Sequence, residues 1–401
     1  MSEWQECKFS DLLVDESISY GIVQPGQHTE INAVPVIRVN NIKNNKIETD
    51  DVLKVSSKIE EKYQRTRLEG GELLITVVGS IGECAIVPNH LKGWNVARAV
   101  SVARIKKNFD KRFIKYCFKL DDLKFQMYGN TNDTVQPTLN LSSLKNLVLN
   151  VPTLPAQQAI ANILSSLDDK IDLLHRQNKT LEAMAETLFR QWFIEEANED
   201  WEEKPLKDVV NVIDNRGKTP PYQDIPTPFP IIEVNALTGT NRLVDYSAIR
   251  KYVTEDIFNS WFRGHPKKFD TLISTVGSIG EISMYLVELG SVAQNVVALS
   301  AKNISPFYLF EFLKHSKDEI KELDIGSVQP SIKVPHLLSI KITIPPVEKF
   351  KLFDSQVESY LARMLMNQKQ IKTLEKLRDN LLPKLMSGEV RVRLTEQDHV
   401  K

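Results

Sequence analysis

Two long segments of the chain place apolar side chains at spacings that alternate between three and four residues. The first runs through positions 160, 164, 167, 171, 174, 178, 181, 185, 188 and 192, which read Ile, Leu, Leu, Ile, Leu, Asn, Leu, Ala, Leu and Trp. The second runs through 350, 353, 357, 360, 364, 367, 371, 374, 378, 381 and 385, which read Phe, Phe, Val, Tyr, Met, Asn, Ile, Leu, Arg, Leu and Leu. This heptad pattern predicts two long helices that form a coiled coil. The alternative is that each helix packs only on its own globular neighbour.

One asparagine interrupts each of these apolar seams. Asn178 falls at heptad position a and Asn367 at position d, and antiparallel helices place a layers opposite d layers. We predict that the two side chains form a hydrogen bond between the helices and fix their register. The alternative is that each amide bonds its own backbone or water.

The chain also repeats itself once. The segment TVVGSIGE at 76–83 returns as STVGSIGE at 274–281, and VPVIRVNNI at 34–42 returns as FPIIEVNAL at 229–237. A VQP segment that begins the stretch 134–152 returns in 327–345. Spacings near 195 residues are far too long for a solenoid unit, so each copy is predicted to be a whole domain with its connector.

Each copy combines short β-branched runs with one helical pattern, over 109–123 in the first and 306–321 in the second. The predicted fold class is α+β, with two mixed α/β domains separated by two long antiparallel coiled-coil helices and related by a pseudo-two-fold internal repeat. The predicted boundaries are 1–152 for the first domain, 153–196 for the central helix, 197–345 for the second domain, 346–390 for the C-terminal helix and 391–401 for a polar tail.

The composition is that of a globular protein, with 42% hydrophobic and 26% charged residues. No apolar run is long enough to span a membrane, and the first residues lack the pattern of a secretory signal. The three cysteines have neither zinc-site nor disulfide-framework spacing. We therefore expect a cytoplasmic protein with reduced thiols.

The motifs of common enzymes are missing or incomplete. Neither G-x-x-x-x-G-K-[ST] nor G-x-G-x-x-G occurs, and the seven histidines have no metal-site spacing. The tetrapeptide TPPY at 219–222 resembles the catalytic motif of amino-group DNA methyltransferases, but threonine replaces the required Asn or Asp. A nuclease site drawn from Asp51, Glu60 and Lys62 has a spacing that is common by chance. The sequence thus predicts a non-catalytic chain with no cofactor and no metal.

The charge distribution suggests where DNA could bind. The net charge is −1, yet residues 92–124 hold ten basic and three acidic side chains, which indicates either a phosphate-binding surface or a solvated helix face. Ser80 and Ser278 lie in the two GSIGE turns, whose amide groups could bind phosphate if they are not simply tight turns with positive φ at glycine.

Seven further residues are candidate DNA contacts. Gln136 and Gln329 of the VQP segments could read adenine edges or serve the backbone. The loop NRGKTPPY at 215–222 is basic and stiffened by proline, and its counterpart in the first copy lacks the charges. The remaining candidates, from this loop and from the basic stretch, are Arg216, Lys218, Thr219, Arg98 and Lys106.

Taken together, these features resemble the specificity subunit of type I restriction–modification systems. The resemblance rests on the repeated domain-plus-helix plan, the paired GSIGE and VQP blocks, and the ending LEKLRDNLLPKLMSGEV at 374–390. It implies that each domain is a target-recognition domain reading one half of a split site in double-stranded DNA. It also implies that the helices set the spacer and dock two modification subunits, which carry the methyltransferase activity.

The alternative is a pseudo-dimeric coiled-coil scaffold that binds only protein. The sequence leaves open the bases that are read, the length of the spacer, and whether restriction subunits join the complex.

Overall fold

The structure is a computed structural model that describes residues 4–129, 137–217, 219–238, 242–287, 289–326 and 328–392. Gln136 and Lys218, two of the predicted DNA contacts, lie outside the described residues. Contacts divide the chain into two compact units, Met1–Asp172 with Ile371–Lys401 (unit 1) and Leu173–Gln370 (unit 2). Each of the two long helices therefore contributes residues to both units.

Unit 1 contains the first globular domain. Its strands are β1 (Gln5–Lys8), β2 (Leu13–Tyr20), β3 (Ala33–Ile37), β4 (Ile42–Lys43), β5 (Lys46–Ile47), β6 (Leu53–Ser56), β7 (Leu73–Thr76), β8 (Cys84–Ile86), β9 (Asn95–Val96), β10 (Val100–Ile105) and β11 (Val148–Val151). Its short helices are α1 (Ser57–Glu60), α2 (Lys111–Cys117), α3 (Asp121–Gly129) and α4 (Leu141–Lys145), and the central helix is α5 (Leu154–Arg190). Five residues in π-helical geometry, Gln191–Glu195, follow α5.

Unit 2 contains the second globular domain. Its strands are β12 (Glu202–Pro205), β13 (Val210–Asp214), β14 (Phe229–Ile232), β15 (Tyr252–Val253), β16 (Thr271–Ser274), β17 (Ile282–Met284), β18 (Ser291–Val292), β19 (Val296–Ala301) and β20 (Lys341–Ile344). Its short helices are α6 (Leu206–Val209), α7 (Glu255–Trp261), α8 (Pro306–His315), α9 (Lys317–Glu322) and α10 (Val334–Leu337), and the C-terminal helix is α11 (Val347–Met386).

The two domains have the same sheet topology. A four-stranded antiparallel sheet has the order β2-β10-β7-β8 in the first domain and β13-β19-β16-β17 in the second. A smaller three-stranded sheet, β6-β3-β9 or β15-β14-β18, contains one parallel pair in each case. The first and last strands of each domain pair with each other, β1 with β11 and β12 with β20.

The central strands are buried on both faces. In β7, Leu73 and Ile75 join the core that includes residues of the long helices, whereas Leu74 points into a second core on the other face. In β16, Ile273 and Leu272 divide in the same way between two cores. Because successive side chains of a strand alternate between faces, such a strand reads as a continuous apolar run.

The predicted helix inside each domain is in fact two short helices. In the first domain α2 begins at the N-cap Asp110, whose side chain accepts hydrogen bonds from two backbone N–H groups, and it ends at Cys117 before a turn. In the second domain Ser305 caps α8 in the same way, and Ser316 separates α8 from α9. Periodicity alone did not reveal this break, because both halves keep an apolar face towards the same core.

The heptad pattern is confirmed, since every predicted seam position in both long helices is buried or half-buried. Within unit 2, α5 and α11 run antiparallel, because Asn178 contacts Asn367 whereas Phe193, further along the chain, packs on Phe353 at a ring-centroid distance of 5.1 Å. Towards their ends the helices also join the domain cores, through seam positions such as Ile160 and Phe353 and through residues outside the seam such as Phe189. Each helix therefore packs both on the other helix and on a globular domain. No described helix is long and apolar enough to cross a membrane.

Asn367 is fully buried and Asn178 is nearly so. The Nδ2 atom of Asn367 donates a hydrogen bond to Oδ1 of Asn178 at 2.8 Å, and Gln177 Oε1 lies 3.5 Å from the same nitrogen. This is the contact that the heptad positions predict. Its role in fixing the register stays a prediction.

Candidate nucleic-acid interface

The GSIGE turn and the VQP segment lie side by side in each domain. In unit 1 the N–H of Gly79 donates to the carbonyl of Pro137 at 3.1 Å. In unit 2 the N–H of Gly277 donates to the carbonyl of Pro330 at 2.9 Å, and Gln329 is exposed beside this turn. Residues about 55 positions apart in the chain therefore form one surface in both copies.

Several amide groups of the two turns donate hydrogen bonds within the domain, and phosphate binding by the turns stays a prediction. In unit 1 Gly82 N–H donates to the carbonyl of Thr76, and Glu83 N–H donates to the Thr76 hydroxyl, while that hydroxyl donates to the carbonyl of Ser80. Ser274 makes the matching bonds in unit 2. The glycines have φ between +73° and +86°, so the tight-turn interpretation is confirmed. What remains exposed at each tip is a serine, Ser80 or Ser278.

A cleft of about 780 Å³ opens beside the first of these turns. Ser80 lines it together with Arg38, Asn40 and Lys43, and the segment 97–99 closes one side. Arg98 is exposed in that segment and lines an adjoining hollow. Guanidinium, ammonium and amide groups in a concave surface are the groups that contact phosphates and base edges in DNA.

The charges at this place are reversed in the second domain. Arg38, which follows β3, forms an ion pair with Asp51 at 3.0 Å. Glu233 occupies the matching position after β14 and forms an ion pair with Lys251 at 2.7 Å. Arg38 is absent from the predicted DNA contacts, although the sequence marks this position, because VPVIRVNNI and FPIIEVNAL differ in charge only there.

The basic loop of the second domain is held by internal bonds. Arg216 donates several hydrogen bonds to Asp214. Burial raises the pKa of the Asp214 carboxyl, but the bonds from Arg216 outweigh burial, so this pKa lies below its usual value. Asn215 is buried and ties the loop to the carbonyl of Gly264. Arg263 is exposed next to Arg216 and donates weakly to the carbonyl of Asp214, at 3.4 Å. Thr219 is exposed.

Within unit 1, the predicted DNA contact Lys106 lies apart from Ser80 and Arg98. The ammonium group of Lys106 donates to the backbone carbonyl of Asp11 at 2.8 Å. Arg98 precedes the first residue of β10 and Lys106 follows its last residue, so the two side chains lie at opposite ends of this strand. The six residues of that strand span about 20 Å. The structure therefore brings together Ser80 and Arg98 in unit 1 and Ser278 and Gln329 in unit 2.

The two carboxylates of the nuclease-like spacing, Asp51 and Glu60, have structural partners. Asp51 pairs with Arg38, and Glu60 is buried in a bidentate ion pair with Arg67 and a hydrogen bond from Asn95. In the described part of the chain, no group of three or more His, Cys, Asp or Glu side chains could hold a metal ion.

The family model for the type I restriction modification DNA specificity domain matches the chain twice, over residues 1–183 and 198–381. The chain belongs to this family. The two matches coincide with the two copies of the sheet topology described above.

Relatives of the chain carry the same description. The type I restriction enzyme MjaIX specificity subunit of Methanocaldococcus jannaschii is 27% identical over 345 residues, which cover 80% of this chain and 78% of that one. The MjaVIII specificity subunit of the same organism is 27% identical over 332 residues, covering 75% of each chain. The crystal structure of the type I restriction–modification S subunit from M. genitalium has a TM-score of 0.61 at 16% identity, covers 98% of this chain and 97% of that one, and shows that the fold is shared.

Proposed function

We propose that the chain is the DNA-recognition subunit of a type I restriction–modification complex. Each globular domain reads one half of a bipartite site in double-stranded DNA, and the paired helices set the spacing and dock two modification subunits. The observation that carries this proposal is the internal repeat. The same sheet topology occurs twice, and both copies match a DNA specificity domain.

The surfaces around the two GSIGE turns support a role in reading different sequences. Their frames match, with the glycine turn bonded to a proline carbonyl in both domains. The side chains on the frames differ, since Arg38 in one domain corresponds to Glu233 in the other. A shared backbone arrangement with different polar side chains suits two domains that bind different base sequences, because direct readout depends on which donors and acceptors the protein places against the base edges.

The chain itself is proposed to be non-catalytic, with methyl transfer performed by the modification subunits. The test is to incubate the purified chain with duplex DNA and labelled S-adenosylmethionine, with and without the modification subunit encoded beside its gene. We expect transfer of label to DNA only in the presence of that subunit. Transfer by the chain alone would contradict the proposal.

A further inference from the structure

A cavity of about 490 Å³ lies in unit 1, where α2 and α3 meet the end of α11. The turn Asn44–Asn45 forms one wall, and Arg378, Asp379 and Leu382 form another. Lys115 and Lys119 line the cavity from the helical side. The volume is that of a small-molecule site, for which roughly 300–1,000 Å³ is usual.

The two lysine ammonium groups in this cavity have no carboxylate at ion-pair distance among the described residues, and the carboxylates that act on them, Asp168 first, lie further away. Lys115 lies in α2 and Lys119 in the turn that follows this helix, and both are half-buried. They lie 4.9 and 5.6 Å from the centre of the Tyr116 ring. None of the residues that the structure describes gives either ammonium a hydrogen bond or an ion pair, and burial lowers the pKa of both groups. Charged groups removed from water normally have a partner of opposite charge.

The nearby carboxylates are committed elsewhere or lie at the rim. Asp168 accepts a hydrogen bond from the Tyr116 hydroxyl at 2.7 Å and pairs with Arg378 at 3.0 Å. Asp379 is also bonded to Arg378, at 2.9 Å. Glu83 and Asp121, which line the cavity, are exposed, and Asp121 lies 3.6 Å from Lys124. Asp169 and Asp172 of α5 also act electrostatically on Lys115, and Asp172 pairs with Lys46. An anion from outside the chain would therefore complete the site.

At the corresponding place in the second domain, carboxylates of the chain pair with the cationic side chains. Counting from the helix caps Asp110 and Ser305, Lys119 corresponds to Lys314, which forms an ion pair with Glu186 of α5 at 3.1 Å.

Likewise, Lys115 and Tyr116 correspond to Phe310 and Glu311. There the buried guanidinium of Arg242 lies over the Phe310 ring and pairs with Glu311. Unit 2 thus gives each buried or half-buried cation at this place a direct carboxylate partner, whereas in unit 1 neither Lys115 nor Lys119 has one among the described residues.

We propose that the unit 1 cavity is a phosphate-binding site, with Lys115 and Lys119 as its cationic groups. A phosphate monoester carries a charge of about −1.5 to −2 at neutral pH, which matches two ammonium groups, and lysine is a common phosphate ligand. This inference does not depend on the proposed reading of half-sites, because Lys115 and Lys119 line only the cavity, although Asn44 and Glu83 line both the cavity and the adjoining cleft at Ser80.

The test is equilibrium dialysis of the full chain with labelled inorganic phosphate at constant ionic strength. We expect one saturable phosphate per chain, and an affinity at least about tenfold lower in the Lys115→Gln/Lys119→Gln double variant, since two charge-assisted contacts are lost. The Lys115→Arg/Lys119→Arg variant keeps both positive charges and should retain phosphate binding. This result would show that the loss in the glutamine variant comes from the charges and not from damage to the fold. The matched control is Lys314→Gln in unit 2, which should bind phosphate like the natural chain.

Three results would overturn the proposal: no saturable binding by the natural chain, unchanged binding by the double glutamine variant, or an equal loss in the Lys314→Gln control. A second arm identifies the source of the phosphate group. Displacement of the labelled phosphate by a short duplex assigns the site to the DNA backbone, and retention of the label assigns it to a free phosphate compound.

Discussion

Replacing both interhelical asparagines with leucine should stabilise the chain. The hydrogen bond between Asn367 and Asn178 contributes about 0.5–1.5 kcal/mol, and Oδ1 of Asn367 is buried with no partner among the described residues, which costs about 1–3 kcal/mol. Two leucine side chains in the same apolar seam each contribute about 1.5–3 kcal/mol. After the lost hydrogen bond is subtracted from the two leucine contributions, we expect the free energy of unfolding to rise by about 1.5–5.5 kcal/mol, and removal of the unpaired oxygen adds to this rise.

The single variants separate the hydrogen bond from the apolar packing. Asn178→Leu leaves the buried amide of Asn367 without its acceptor at 2.8 Å, so the gain from leucine should largely disappear. Urea denaturation of the natural chain, both single variants and the double variant gives the coupling energy directly. Asn380→Leu, at an exposed position of α11, is the matched control and should change stability little. A double variant no more stable than the natural chain, or two single effects that simply add, would refute this reasoning.

The same double variant tests whether the asparagines fix the register. A buried polar pair lowers stability but selects one alignment of a coiled coil. In complex with modification subunits, we expect the leucine variant to methylate sites with more than one spacing between the half-sites. A single unchanged spacing would show that the two amides have no role in alignment.

Three further changes probe charges. Glu311→Ala leaves the Arg242 guanidinium buried without its partner and should cost about 3–5 kcal/mol of unfolding free energy in urea denaturation; a loss below about 1 kcal/mol would contradict this. Burial raises the pKa of Glu182, so its contribution to stability is present below the ordinary carboxyl pKa and is lost as pH rises through the raised value. Glu182→Gln should therefore gain stability relative to the natural chain as pH rises above the ordinary carboxyl pKa, and a stability difference that stays constant with pH would exclude this. Arg98→Ala should lower the salt slope of DNA binding by about one, whereas Lys106→Ala should leave it unchanged because its ammonium bonds the chain itself, and equal slopes for the two variants would contradict the assignment.

The features that the sequence predicted well are those set by local spacing. Heptad spacing alone placed Asn178 and Asn367 in the buried seam, because a helix repeats its faces regardless of what packs against it. The repeated glycine turns were recognisable for the same reason, since positive φ restricts a position to a few residue types.

The features that sequence reasoning missed depend on long-range contacts. Nothing in the local sequence shows that the N–H groups of Gly79, Gly82 and Glu83 donate to Pro137 and Thr76. Lys106 bonds Asp11, which is 95 residues away in the sequence, and Arg38 pairs with Asp51, which is 13 residues away in the loop before β6. A charge count along the chain cannot distinguish such paired groups from free ones.

The central claim is that each globular domain reads its own half of the DNA site. It is tested most directly by exchanging residues 1–150 for the matching domain of a relative with a known site and sequencing the methylated positions in the presence of modification subunits. The account predicts that one half of the recognised sequence changes to that of the relative, while the other half and the spacing are retained. A change in both halves, or in neither, would contradict it.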